Sequence, residues 1–345
     1  MEIEEKLRLA KRNSVEIVTE EELRALFENS STFNFYFGTA PTGPFHIGYL
    51  IPAMKTIDLI NIGGKATILI ADYHAYLDDR KTPWEEMQIR TKYYEICLKK
   101  VLEKYEDKIK FVYGSSYQTE KEYIEDLFKL AGLVSVKRAV RAASEVVRMR
   151  EDPLISSLLY PIMQNLDVKY LNADIALGGI DQRHVYMLGR EIIENVGYKK
   201  FISIFTPLIT SLKGPGVKMS ASMPETHIKI HEDENSLLKK INNAYCPARE
   251  INGNPIIEIS KYLLFPYFGK IKIERDKKYG GDIELNSYEE LEKLYIEGQL
   301  HPLDLKQAVF KYLNEMIKPV REYFEKHKDF FEEVKKSMQK SGYTF

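Results

Sequence analysis

The chain has 345 residues, of which 29% are charged, and its formal net charge is −1. This length predicts two or three domains with a sizeable core, and the near-neutral charge argues against a protein that coats nucleic acid, although a local basic patch stays open. Cys97 and Cys246 are too few for a disulfide framework, and neither a signal peptide nor an apolar run of roughly 20 residues is present, so we expect a cytoplasmic protein without membrane contact.

Residues 1–30 mix apolar side chains with many Glu, Lys and Arg. We interpret them as an N-terminal helical arm that packs on the rest of the chain and carries no chemistry. Thr19 and Glu22 have the spacing of a capping box, which predicts a second short helix that begins there.

Residues 33–50 combine an apolar run with a loop rich in Gly and Pro, followed by apolar residues at helical spacing. This pattern predicts a buried strand, a loop and a helix that begins near His46. Free N–H groups at such a helix start can bind phosphate. Gly38, Gly43 and Gly48 would let the backbone approach a nucleotide, and His46 could donate to a phosphate oxygen. Because Gly-rich βα loops are common, the loop alone leaves its function open.

Residues 65–71 are rich in β-branched and apolar side chains, and with the preceding helix they predict a parallel βαβ unit. Ligand-binding groups gather at the carboxyl ends of such strands, which makes Asp72 and His74 candidate site residues, although a single His there is more often structural. The pattern continues with a helix over residues 86–105 and a strand over residues 110–113.

Charged helices are predicted over residues 119–150, where a run of basic side chains could be a solvated face or could contact RNA phosphate or a partner subunit. Farther along, we expect a strand over residues 172–177, a helix over residues 183–195 and a buried strand over residues 201–209.

Residues 158–171 predict a helix with Pro161 in its first turn. Tyr160, Gln164 and Asp167 then share one face beside apolar side chains. Buried polar groups are costly without partners, so this face implies either a ligand or an internal network, and we favour the ligand. Gln182, at the start of the next helix, offers a further site group.

The segment over residues 211–222 contains two glycines and a proline before Lys218, followed by Ser220 and Ser222. This composition predicts a mobile loop that carries an ammonium and two hydroxyls. Such donors can follow a phosphate as its charge grows. The same composition also fits an inert surface loop.

Beyond residue 235 the pattern is helical, with a small β element over residues 270–285 and a charged tail that is basic over residues 335–340. We therefore expect three parts. These are an arm over residues 1–30, a catalytic domain over residues 31–230 with a helical insertion over about 115–155, and a mainly helical domain over residues 231–345.

Residues 41–49 and 218–222 resemble the paired signatures of class I aminoacyl-tRNA synthetases, His-Ile-Gly-His and Lys-Met-Ser-Lys-Ser. Both occur in the right order, each after a strand. The surrounding sequence is similar to the archaeal/eukaryotic-type tyrosyl-tRNA synthetases from about residue 10 to 325. The stretches that carry this similarity are residues 36–39, 71–77, 160–167, 178–183 and 301–306.

The resemblance implies an α/β fold with a Rossmann-like parallel-sheet catalytic domain and a helical C-terminal anticodon-binding domain. It implies activation of L-tyrosine with ATP, assisted by Mg²⁺, and transfer of tyrosine to tRNA(Tyr). A homodimer formed through the insertion, over residues 115–150, is a further expectation.

By resemblance, Tyr36 and Asp167 hydrogen-bond the phenol of the substrate, and Tyr160, Gln164 and Gln182 hold its α-amino group, with His74 also in the substrate site. Arg183 is expected to approach the acceptor end of the tRNA, and Asp304 to accept hydrogen bonds from the wobble base. The catalytic donors are expected to be His46, Lys218, Ser220 and Ser222. The expected ATP-binding residues are Gly38, Ala40, Thr42, Gly43, His46, Gly48, Lys218 and Ser222.

Two positions depart from the signatures. The first ends in Tyr49 rather than His, which leaves one imidazole for the phosphates. The second has Ala221 in place of Lys or Ser, as in tryptophanyl relatives, so a tryptophanyl-tRNA synthetase is an alternative. The polar face that includes Asp167 argues against it, because an indole has no use for phenol-binding groups.

Two further alternatives are a small-molecule nucleotidylyltransferase and a non-catalytic tRNA-binding paralogue. The helical C-terminal domain and the segment around Asp304 argue against the first. The presence of His46, Lys218 and Ser222 argues against the second.

Overall fold

The computed structural model describes residues 1–216, 219–221 and 223–345. Contacts divide the chain into two units. The first comprises Met1–Gly43 and Lys55–Pro207, and the second comprises Pro44–Met54 and Leu208–Phe345. The three domains expected from the sequence, with a boundary near residue 230, stay a prediction.

A six-stranded sheet forms the centre of the first unit. Its spatial order is β1-β6-β5-β2-β3-β4, and every neighbouring pair is parallel except β1 with β6. The strands are β1 (Glu16–Val18), β2 (Phe33–Thr39), β3 (Gly64–Ile70), β4 (Ile109–Tyr113), β5 (Ile175–Gly179) and β6 (Ile202–Thr206). This arrangement confirms the predicted α/β class with a mainly parallel sheet.

Nine α-helices lie along the described part of the chain up to β6, and apolar side chains from several of them pack on the sheet around buried Leu166 and Phe205. They are α1 (Ile3–Lys11), α2 (Glu20–Asn29), α3 (Leu50–Asn61), α4 (Asp72–Leu77), α5 (Met87–Val101), α6 (Lys121–Ala131), α7 (Val136–Ala143), α8 (Ile155–Tyr170) and α9 (Arg183–Ile192).

The N-terminal arm contains more than the predicted helices. The capping box is confirmed, since the Thr19 hydroxyl accepts from the Glu22 amide and the Glu22 carboxylate accepts from the Thr19 amide. The arm also contributes β1 at the edge of the sheet, which the sequence pattern did not reveal because the strand has three residues. Lys55 of α3 donates its ammonium to the carbonyls of Leu9 and Ala10, each at 3.1 Å, and so satisfies groups at the end of α1.

Two predicted boundaries near α8 were wrong. The helix begins at Ile155, so Pro161 lies inside it rather than in its first turn. Contacts of α8 with α6, α7 and α9 stabilise the earlier turn, and tertiary packing overrides the local preference of proline. The next strand begins at Ile175 rather than at 172, because Asn172 has a positive φ and belongs to the turn that ends α8.

The second unit is mainly helical, and a two-stranded antiparallel element confirms the small β region predicted over residues 270–285. Its helices are α10 (Glu234–Asn243), α11 (Pro255–Ile259), α12 (Phe265–Phe268), α13 (Tyr288–Glu297), α14 (Pro302–Lys326) and α15 (Lys328–Lys340), and its strands are β7 (Ile271–Ile273) and β8 (Ile283–Leu285).

The charged C-terminal tail contains a helix, α15, that contacts α14. Val334 and Met338 are buried four residues apart, which is the helical signal that the high charge of the segment concealed. Among the described residues, no helix combines the length and the apolar character needed to cross a membrane.

Candidate active site

The candidate substrate site of the first unit lies at the carboxyl ends of β2 and β5. These two strands are neighbours, yet the chain continues from β2 outward to β3 and from β5 outward to β6. Such a switch point leaves a crevice in which α/β proteins bind ligands. Tyr36 is on β2, and Gln182 follows β5 in a single 3₁₀ turn that leads into α9.

Tyr36 is buried and its hydroxyl has two partners. It donates to the carbonyl oxygen of Gln164 at 3.1 Å and lies 3.0 Å from the hydroxyl of Tyr186. Burial raises the pKa of Tyr36 well above its ordinary value, so the phenol stays neutral. The residue is thereby joined to α8 and α9, the two helices that carry the other candidate groups.

Asp167 is completely buried, and its two carboxylate oxygens have different surroundings. Oδ1 accepts three hydrogen bonds, from Tyr117 Oη at 2.7 Å, Gln118 Nε2 at 2.8 Å and Tyr123 Oη at 3.0 Å. Oδ2 accepts none from the described residues, and His74 Nε2 lies 3.7 Å from it. One oxygen is therefore saturated, while the other is an acceptor that a ligand hydroxyl can use.

The electrostatics of this site follow from its burial. Burial disfavours the charged carboxylate and raises the pKa of Asp167 to about 7, against the opposing effect of its three donors. Burial also lowers the pKa of His74 to about 4, so the imidazole is neutral at pH 7. Near pH 7 the site therefore contains one carboxyl group close to its pKa, Asp167, and one neutral imidazole, His74.

The remaining predicted groups extend the same cluster. Gln164 Nε2 donates to Gln182 Oε1 at 2.9 Å, while Gln164 Oε1 has no partner among the described residues. The ring of buried Tyr160 stands perpendicular to that of His74, with centroids 4.7 Å apart. A Cβ at Gly178 would lie 3.0–3.2 Å from the Gln182 side chain, so glycine there permits the close approach.

The structure therefore brings together all six residues predicted for substrate binding, which are Tyr36, His74, Tyr160, Gln164, Asp167 and Gln182. It adds four that the sequence pattern did not single out, Tyr117, Gln118, Tyr123 and Tyr186. The only signal for the first three was a stretch dense in Tyr and Gln after β4, and such composition does not say where a hydroxyl points.

In the second unit, His46 precedes a 3₁₀ turn, Ile47–Tyr49, that leads into α3. Its Nδ1 accepts from the Gly48 amide at 3.1 Å, and in a neutral ring this places the proton on Nε2. A Cβ at Gly48 would lie 2.8 Å from the imidazole, so only glycine allows this arrangement. A β-bridge pairs His46 with Lys229, and Ile47 N donates to Ile228 O at 3.0 Å.

The amide groups of the first loop differ from the prediction. We expected free N–H groups there, but those at positions 42, 47 and 48 have acceptors within the chain, with Thr42 N bonded to Ala40 O at 2.8 Å. The short turn at Ala40–Thr42, the carbonyl of Ile228 and the His46 ring accept from these donors.

The second loop lies only partly within the described residues. Lys218 and Ser222 fall outside them. Ser220 is half-buried, and its carbonyl accepts from the Met223 amide at 3.1 Å. The neighbouring Met219 amide donates to Ile209 O at 3.1 Å. Across the described ranges, no group of three or more His, Cys, Asp or Glu side chains is arranged to hold a metal ion.

The two residues predicted to contact tRNA have different surroundings. The Arg183 guanidinium forms a two-point ion pair with Glu16, at 2.6 and 2.9 Å. Asp304 lies in the first turn of α14, where a carboxylate interacts favourably with the helix dipole. His301 caps the same turn by accepting from the Leu303 amide at 3.2 Å.

Residues 28–318 match the family described as tRNA synthetases class I (W and Y), and the chain belongs to this family. It is 43% identical over 321 residues to the tyrosine–tRNA ligase of Archaeoglobus fulgidus, covering 93% of this chain and 98% of that protein. It is 41% identical over 329 residues to the tyrosine–tRNA ligase of Haloarcula marismortui, covering 93% and 94%.

Among solved structures, the tyrosyl-tRNA synthetase of Archaeoglobus fulgidus complexed with L-tyrosine superposes with a TM-score of 0.88 at 43% identity. The alignment covers 93% of this chain and 99% of that one. These matches confirm the resemblance to class I synthetases that the two signatures carried and the resemblance to tyrosyl-tRNA synthetases that the surrounding sequence carried.

Proposed function

We infer that this chain is a tyrosine–tRNA ligase, which activates L-tyrosine with ATP and transfers it to tRNA(Tyr). Close relatives that share nearly their whole length with this chain bear that name. The observation that carries the inference to substrate level is the buried carboxylate of Asp167, which has one saturated oxygen and one open acceptor. A phenol hydroxyl supplies the donor that this oxygen lacks.

The pocket selects tyrosine through the cost of leaving polar groups unpaired. We propose that Asp167 Oδ2 and the Tyr36 hydroxyl bind the substrate phenol, while Tyr160, Gln164 and Gln182 hold its α-amino group. Phenylalanine would leave Asp167 Oδ2 without a partner, and tyrosine activation is itself the usual example of this rule. A role for His74 in the same site is supported by its Nε2, which lies 3.7 Å from Asp167 Oδ2.

We propose that ATP binds at the first loop, over residues 38–48, with His46 Nε2 donating to a phosphate oxygen. The tyrosine carboxylate attacks the α-phosphorus in line, the bond to the bridging oxygen breaks, and tyrosyl-adenylate and pyrophosphate form. Lys218, Ser220 and Ser222 stabilise the charge that develops on the leaving phosphates. Mg²⁺, which favours phosphate and water oxygens, enters with ATP.

In the second step, a hydroxyl of the 3′-terminal ribose attacks the activated carbonyl, and AMP leaves. We propose that Asp304 in α14 recognises the anticodon and that Arg183 reaches the acceptor end. The ion pair of Arg183 with Glu16 then orients its guanidinium. Arg183→Ala should lower kcat/KM for tRNA without changing pyrophosphate exchange, and a loss of both activities would contradict that role.

We also propose a cytoplasmic homodimer formed through residues 115–150. In this insertion, Phe128 and Val136 are 69% and 67% exposed, an apolar surface that a partner subunit would cover. Sedimentation equilibrium should show a dimer, and Val136→Glu should shift it towards monomer. A monomeric unmodified protein would contradict this part of the proposal.

The experiment that tests the function is ATP–pyrophosphate exchange with each of the twenty amino acids. We expect exchange with tyrosine alone, whereas exchange with tryptophan would support the tryptophanyl alternative and no exchange would support a non-catalytic tRNA-binding protein. Lys218→Ala should slow exchange by orders of magnitude and leave tyrosine binding intact. An unchanged rate would remove the second loop from the mechanism.

A further inference from the structure

Three consecutive carbonyl groups of the first loop accept hydrogen bonds from one neighbouring region of the first unit, α5 and the residues just before it. The donors are all side chains. The three bonds are Thr82 Oγ1 to Pro41 O at 2.7 Å, Arg90 Nη1 to Thr42 O at 3.1 Å and Tyr94 Oη to Gly43 O at 2.9 Å.

The three donors form a connected, buried group. Thr82, Arg90 and Tyr94 are each fully buried. Arg90 and Tyr94 are four residues apart on α5 and therefore share one face. Arg90 Nη1 also lies 3.3 Å from Thr82 Oγ1 and donates to Lys81 O at 3.1 Å, so the donors hold one another as well as the loop.

Burial of a guanidinium is costly unless hydrogen bonds compensate for the lost water. Here the loop's own carbonyls supply part of that compensation, which favours one position of the backbone over residues 41–43. The Arg90 guanidinium also contacts Thr42 of this loop, which receives an anion in the proposed function. Both effects act on a bound triphosphate, because a preorganised site loses less freedom when the ligand arrives.

We propose that Thr82, Arg90 and Tyr94 are positioning residues for ATP, which hold the first loop in the geometry that binds and aligns the triphosphate. They act through the backbone of residues 41–43 and do not touch the reacting atoms. This inference rests on the proposed function, in which that loop binds ATP. A displacement of about 1 Å in such a loop can cost on the order of a hundredfold in rate.

Tyr94→Phe tests the inference by removing one hydroxyl and keeping the ring. We expect the KM for ATP in tyrosine-dependent pyrophosphate exchange to rise about three- to tenfold, with the Kd for tyrosine unchanged. Tyr93→Phe is the matched control, because Tyr93 is equally buried on α5 and its hydroxyl interacts with Cys97. The control should keep the ATP KM of the unmodified protein.

A second pair separates positioning from packing. Thr82→Val removes the hydroxyl at similar volume and should raise the KM for ATP. Thr82→Ser retains the hydroxyl and should have the ATP KM of the unmodified protein. Equal ATP KM values for Tyr94→Phe and Tyr93→Phe, or for the two Thr82 variants, would overturn the inference. So would a parallel loss of tyrosine and ATP binding. Absence of tyrosine-dependent exchange in the unmodified protein would instead contradict the proposed function.

Discussion

Tyr117 donates its hydroxyl to Oδ1 of Asp167 at 2.7 Å, across 50 positions of sequence. The bond joins the segment after β4 to α8. Because Gln118 and Tyr123 bind the same oxygen, the orientation of the carboxylate is fixed, and Oδ2 faces away from these three donors. The second oxygen is thereby preserved as an acceptor for the substrate.

The Tyr117 hydroxyl should also lower the pKa of Asp167. Tyr117→Phe removes a donor to the charged form, so the pKa should rise above its present value of about 7 and the midpoint of tyrosine binding should move to higher pH. Calorimetric titration of tyrosine from pH 6 to 9 measures this shift. Tyr170→Phe, whose hydroxyl binds Asp126, should leave the midpoint unchanged. Identical profiles for both variants would contradict the coupling.

Asp167→Asn should weaken tyrosine activation more than phenylalanine activation. The variant keeps the shape of the side chain but replaces a charged acceptor, and a hydrogen bond to a charged group contributes about 1.5–3 kcal/mol. We therefore expect kcat/KM for tyrosine to fall by roughly ten- to a hundredfold, and discrimination against phenylalanine to narrow. Pyrophosphate exchange with the two amino acids measures both. If the ratio of kcat/KM for tyrosine to that for phenylalanine is the same in the variant and the unmodified protein, Asp167 does not bind the phenol hydroxyl.

Buried His227 should make stability depend on pH. Its pKa is lowered to about 4, chiefly by burial and then by the Lys240 charge, so between pH 4 and 6.5 the unfolded chain binds a proton that the folded chain does not. Stability therefore rises with pH across this window, by up to about 1.4 kcal/mol per pH unit from this residue.

His227→Asn tests this dependence, because an Asn amide can still donate to Met223 O, which lies 3.0 Å from His227 Nδ1, without titrating. Urea unfolding at pH 4.5, 5.5 and 6.5 should show a shallower rise for the variant. From pH 7 to 8 the free energies of unfolding of the two proteins should change with pH in the same way, since the imidazole is neutral in both the folded and the unfolded state there. A slope equal to that of the unmodified protein below pH 6.5 would exclude His227 as the cause.

Lys55 should be a major anchor of the N-terminal arm. Its ammonium is buried among carbonyls at the end of α1 and lies 3.0 Å from Asp58, which is also buried. Lys55→Met removes one buried partner of Asp58, which keeps its ion pair with Arg12, and should lower the free energy of unfolding by up to about 3–5 kcal/mol. Chemical denaturation measures the loss, and limited proteolysis should cut the arm first.

The exposed Lys65 supplies the control for that experiment. Lys65→Met removes a charge of the same kind from the surface and should change stability by less than about 0.5 kcal/mol. Comparable losses in the two lysine variants would show that the buried contacts of Lys55 contribute little.

Much of the fold was predictable because its signals are local. The apolar run before the first glycine loop predicted β2, and the spacing of Thr19 and Glu22 predicted the start of α2. The errors have tertiary causes. Pro161 lies inside α8 because neighbouring helices stabilise the turn before it, and β1 forms because β6 offers an edge to pair with.

The sequence by itself determined the α/β class and the two signature loops, since hydrophobic period, glycine placement and motif order depend only on neighbours along the chain. It also placed Tyr160, Gln164 and Asp167 on one helical face. Only the tertiary structure decided which donors saturate Asp167 and which hold residues 41–43. Those partners come from 41 to 51 positions away, and a hydrogen bond depends on where the folded backbone brings two atoms.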